Sequence, residues 1–163
     1  MTPARTTEAL WPYALEVYGR PGVEPLLLRL QDDHDQCVPF LLWSLWMAAG
    51  GRPIDRATAA ACAELARAWQ DAAVVPLRRL RRGLKAKASQ ERLQARIRTG
   101  VQALELEAER MLLQMLEESS PAPASSSPGA APNPPAAALA RAIGAGGAEA
   151  PSALLRQLAA LCA

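Results

Sequence analysis

Between Leu10 and Met115 the apolar residues recur at intervals of three and four, the period of helices that each turn one face inward. Leu10, Tyr13, Ala14, Val17 and Tyr18 make the first such face, opened by Thr7 and Glu8 and ended by Arg20-Pro21-Gly22. A second helix is predicted from about Val23 to Asp32, with Leu26, Leu27 and Leu30 inward and the polar run from Asp32 to Gln36 closing it. The third, about Val38 to Ala49, is apolar nearly all round despite Ser44, which suits the centre of a bundle. Gly50-Gly51 stops it where a left-handed residue is wanted. Asp35 is placed to cap this third helix, and Asp55 to cap a fourth with Ala59, Cys62, Leu65, Ala66 and Trp69 inward.

Pro76 either kinks the fourth helix or opens a new one at its first turn. Leu77, Leu80 and Leu84 resume the period and are expected to face the bundle. The phase is lost at residues 86–89 and restarts as Leu93, Ile97, Val101, Leu104, Ala108, Met111 and Met115. These describe one stripe on a helix roughly 43 Å long, in which Gly100 costs up to about 1 kcal/mol against Ala.

From Ser119 to Ala150 the pattern disappears: 27 of these 32 residues are Ala, Pro, Ser or Gly, too few large apolar groups to offset the entropy of ordering them. The expectation is a disordered linker over 119–150, after a helical bundle domain over 1–118. Residues 151–163 then predict a short amphipathic helix whose face is Leu154, Leu155, Leu158 and Leu161. So short a helix is marginal in water, so it must dock on its own bundle or on a partner.

Composition supports one fold class, all-α. Half the residues are hydrophobic but only seven are aromatic, and Leu and Ala carry the rest, with β-branched residues scattered singly. The first thirteen residues carry no secretory signal, and no run approaches the roughly 18 apolar residues of a membrane span. The expected protein is soluble and cytoplasmic, without membrane contact.

The order of segments carries a resemblance. LWPYALEVYGRPGVEPLLLRLQDDH, LLWSLWMAAGGRPID and a tryptophan ahead of VVPLRRLRRGLK resemble the small uncharacterised proteobacterial proteins of the DUF2390 family over about Leu10 to Glu117. The resemblance implies a compact α-helical domain and no assigned activity. At the turn after LQD the family tends to carry glycine and asparagine, where this chain has His34, Asp35 and Pro39. The tail from Ser119 lies outside the resemblance.

Candidate chemistry is sparse. Cys37, Cys62 and Cys162 lack paired spacing and read as reduced thiols rather than disulfides or a zinc ribbon. Asp32, Asp33, His34 and Asp35 with Cys37 form the densest group of possible metal ligands. A magnesium-binding DDxxD pattern would need Asp where Gln36 stands, and a zinc site would need a second Cys or His, so neither metal nor cofactor is expected. With one histidine, nucleophilic catalysis lacks a base apart from His34 beside Cys37. Gly50-Gly51 and Gly144 to Gly147 lack the strand and lysine of a phosphate loop. Nothing in these residues argues for catalysis, and the expectation leans away from an enzyme.

Trp43 and Trp46 on the most apolar helix, with Trp11 and Trp69 on its neighbours, read first as core and otherwise as the walls of a pocket. The strongest anomaly is electrostatic. Arg78 to Arg98 holds nine Lys or Arg against Glu91 alone, a balance of +8 in a chain of net +2, which leaves −6 for the rest. Arg78, Arg82 and Lys85 form a ribbon at helical spacing, with Arg79 and Arg81 beside it. Such a ribbon is solvated, or neutralised by Glu105, Glu107, Glu109, Glu117 and Glu118, or offered to an acidic protein or to nucleic acid. Aromatic residues for base stacking are missing after Trp69.

The expected function is non-catalytic macromolecular binding, as an adaptor or regulator, through the basic helix, the terminal helix or both. The rivals are a nucleic-acid or ribosome-associated binder and a small-molecule binder or unrecognised enzyme with a tryptophan-lined pocket. A protein partner is expected foremost, and a dimer through the long helix is left open.

Overall fold

The computed structural model of the chain describes residues 10–86, 92–121, 134–147 and 149–163. Helix α3, Val38–Ala49, is its axis: every residue from Val38 to Ala48 is buried. Ser44 fits this apolar setting because its hydroxyl donates to the carbonyl of Leu41 at 2.8 Å. Pro39 stands in the first turn, where its missing N–H costs nothing. Gly51, with φ +62, supplies the left-handed turn that ends the helix.

Around α3 lie α1 (Leu10–Tyr18), α2 (Val23–His34), α4 (Arg56–Trp69) and α6 (Arg92–Glu118), each giving the core the face its periodicity implies, with one exception taken up below. Leu10, Ala14 and Val17 of α1 are buried, and its first amide donates to Glu117 Oε2 at 2.9 Å. Leu26, Leu27 and Leu30 of α2 are buried as expected. Asp55 caps α4 by accepting from the Thr58 amide at 2.7 Å. Asp35 does not cap α3. It is the left-handed residue, φ +50, that ends α2, and Cys37 occupies the N-cap of α3 without a side-chain bond. A short polar side chain tolerates that conformation, and the tight turn into α3 requires it.

Pro76 stands in the first turn of a new helix, one of the two outcomes expected of it. Gln70–Val74 forms a π-helical turn, with the Val75 amide donating to Gln70, and α5 (Val75–Ala86) continues from it. The wider turn makes room for a ring that would otherwise crowd the carbonyl four residues back.

The expected linker over 119–150 requires correction. Within it Pro135–Gly146 forms a helix, α7, wedged against α3 and α4 with Ala138, Leu139 and Ala142 fully buried. The small side chains that argued for disorder here allow close helix approach instead, and Leu139 supplies the burial. Gly147, φ +76, ends α7, and Arg67 donates to the Gly146 carbonyl. Residues 122–133 and 148, also part of the expected linker, lie outside the described residues.

Helix α8 (Ser152–Leu161) docks on its own bundle, against α7 and α2. Leu154 and Leu158 are buried, Leu155 and Leu161 half-buried, and Arg20 donates to the Leu161 carbonyl at 3.3 Å. The chain is all-α, and no helix among the described residues is long and apolar enough to cross a membrane.

Candidate functional site

The basic ribbon is built on α5, and three of its arginines pair within the chain. Arg78 is 8% exposed and donates from Nε to Glu105 Oε1 and from Nη2 to Glu109 Oε1, both at 2.9 Å. Arg81 donates from Nε to the second oxygen of Glu105, and Arg82 pairs with Asp32 on α2. Of the five residues expected to meet a partner, three are thus engaged within the chain. Arg79 is exposed, and the side chain of Lys85 lies outside what the structure describes.

The leucines of α5 are correspondingly displaced. Leu80, expected to face the bundle, is 52% exposed, while Leu77 and Leu84 are half-buried. The stripe on α6 is rotated in the same way: Val101, Glu105, Ala108, Leu112 and Leu116 are inward, whereas Leu93, Ile97, Leu104 and Met111 are exposed. Arg78, buried, and Arg81, half-buried, need carboxylates opposite, and that requirement sets the roll of both helices.

The carboxylates respond differently. Burial opposes ionisation of Glu105, but hydrogen bonds from Arg81 and Arg78 outweigh it and hold its carboxyl below the ordinary value. Glu109 is shifted upward, because burial and the neighbouring Glu105 charge exceed the pull of Arg78. The network is a fixed ionic seam with one strongly held anion.

Beside it runs an open groove of about 610 Å³ between α1, α2 and α6. Leu15, Leu28 and Leu106 stand at its lips, 54%, 39% and 51% exposed, over buried Val38, Leu42 and Leu113. Arg81, Glu105 and Glu109 belong to the same lining. The groove was not legible in the sequence: its lip residues sit on three helices, and each looks like an ordinary surface leucine within its own period.

The tryptophans do not assemble a pocket. Trp43 is fully buried, stacked on Phe40 with ring centroids 5.2 Å apart, and its indole N–H donates to Ser120 Oγ at 2.7 Å. Trp69 donates to the Ala108 carbonyl at 2.8 Å, and the Trp46 ring lies 3.8 Å beneath the Arg52 guanidinium. Only Trp11 of the four lines the groove, with Arg110 over its ring. The others satisfy polar atoms or pack the core, as large rings in small helical cores do.

The remaining chemistry stays dispersed. Burial pushes the Cys37 thiol up to about 12 and the Cys62 thiol up to about 11, and raises that of Cys162, so none is an activated nucleophile. Among the described residues no three His, Cys, Asp or Glu gather into a group able to hold a metal ion. The chain matches the family described as "Protein of unknown function (DUF2390)" over residues 9–116. It belongs to that family. Neither a curated protein nor a solved structure matches it. The DUF2390 match takes in the ionic seam and the groove, while α7 and α8 lie beyond it although they share its core.

Proposed function

We propose that this DUF2390 protein is a non-catalytic binding module, an adaptor or regulator, that takes an amphipathic helix of another protein in the groove between α1, α2 and α6. The observation that carries the reading is the set of exposed leucines, Leu15, Leu28 and Leu106, over a buried apolar floor. An open trough with apolar lips offers contact along the length of a helical ligand, whose anchors would recur at three and four residues. Arg81, Glu105 and Glu109 beside it offer polar anchors that fix register.

The internal pairing of Arg78, Arg81 and Arg82 weighs against nucleic acid, because those charges already have counter-ions. Burial of Leu154 and Leu158 likewise weighs against the terminal helix as the surface that meets a partner.

The test is capture from native lysate at low and high salt, with and without nuclease, using the wild-type chain and the variants Leu28→Glu and Leu106→Glu. A bound protein that survives salt and nuclease and is weakened about thirtyfold by either substitution is the expected result. Capture abolished by nuclease, or indifferent to both substitutions, overturns the reading.

A further inference from the structure

A second exposed apolar surface lies on the hairpin of α5 and α6, on a different side from the groove. Leu93, Ile97, Leu104 and Met111 of α6 are 60%, 48%, 58% and 45% exposed, and at 100° per residue they fall within about 40° of arc. Arg78 reaches Glu109 and Arg81 reaches Glu105, so the two helices run antiparallel. In an antiparallel pair, the leucine side of α5 (Leu77, Leu80, Leu84) and the exposed stripe of α6 fall on the same side of that ionic seam. Together they make one continuous apolar face on a charged hairpin, the kind of surface that marks an interaction site.

What covers it is indicated by charge and by shape. The flank of the stripe away from Glu105 carries Arg96, Gly100 and Glu107. Arg96 and Glu107 are exposed, neither has an ion-pair partner among the described residues, and they stand about 16 Å apart along their own helix, too far to pair with each other. Gly100 sits in the interior of α6, where glycine costs about 1 kcal/mol against Ala, and a Cβ there would meet nothing within 4 Å. No contact among the described residues explains it.

We propose that the α5–α6 face is a homodimer interface, in which α6 of two copies pair antiparallel about a twofold axis passing between Gly100 and Leu104. In that register Leu104 of each copy packs on Gly100 of the other, Leu93 meets Met111, and Arg96 lies beside Glu107 on both ends of the interface. A twofold makes each such contact occur twice, which a self-complementary surface requires. The basic start and acidic latter half of α6 are aligned with their opposites, and contact from Leu93 to Met111 runs along about 27 Å of helix. Leu80 extends the apolar area from α5. The groove proposed above opens on another face of α6 and stays accessible.

Sedimentation equilibrium of the full chain tests this. The wild type is expected to show a monomer–dimer equilibrium. Arg96→Glu and Glu107→Arg, each checked for helicity by circular dichroism, should weaken the dimer by about tenfold apiece through like-charge contacts made twice. The double swap R96E/E107R should restore it, a recovery only a partner copy can supply. A chain that stays monomeric at hundreds of micromolar, or a dimer that ignores the swaps, overturns the proposal.

Discussion

Glu105 is the residue on which the α5–α6 contact turns. Its carboxylate is 8% exposed and accepts from Arg78 and Arg81 together, so Glu105→Gln removes the negative charge and sets an NH2 donor against one of the two guanidiniums, leaving a single acceptor oxygen for the other. Removing one partner of a buried pair costs about 3 kcal/mol, and chemical denaturation at pH 7 should show a loss of that size. The pH dependence separates charge from packing. Because the folded carboxyl titrates below its ordinary 4.5, its contribution is complete above that pH and is lost as pH falls through the folded value. The difference between wild type and E105Q should therefore hold between pH 7 and 5 and shrink below 4.5. A difference that persists undiminished to pH 3 would assign the cost to packing instead.

At the scale of elements, periodicity read from one helix at a time places α1 to α4 well, because their inward residues are apolar and need nothing opposite. It misjudges α5 and α6 for a definite reason. A charged residue is counted as outward unless its counter-ion is known, and the counter-ions of Arg78 and Arg81 lie on another helix. Leu80 and Leu104 are the price, left in solvent so that two arginines can meet Glu105 and Glu109. Helix α7 escapes for the opposite reason: composition averaged over 119–150 hides a segment whose alanines sit at contact spacing around Leu139. If α7 is a structural part of the core, Leu139→Ala should cost about 3 kcal/mol, within the range of buried leucine truncations, and lower the thermal midpoint accordingly. An unchanged melt would mean that α7 detaches at little cost.

At the scale of the whole molecule, folding meets part of the chain's charge polarisation: Arg78, Arg81 and Arg82 of α5 pair with Glu105 and Glu109 on α6 and with Asp32 on α2. The same view decides where the domain ends. The family match closes at residue 116, yet Leu139, Leu154 and Leu158 beyond it belong to the core built by α3, α4 and α2. Burying three leucines is worth about 5 to 9 kcal/mol, comparable to the whole stability of a small domain. Deleting residues 122–163 would forfeit that and bare the apolar surface of Phe40 and its neighbours. The truncated chain should lose its cooperative thermal transition and bind a hydrophobic dye, where a tail acting only as a tether would leave the bundle folded. A truncation that melts cooperatively near the wild-type midpoint would show that 10–121 is self-sufficient, and that α7 and α8 occupy a surface they are free to leave.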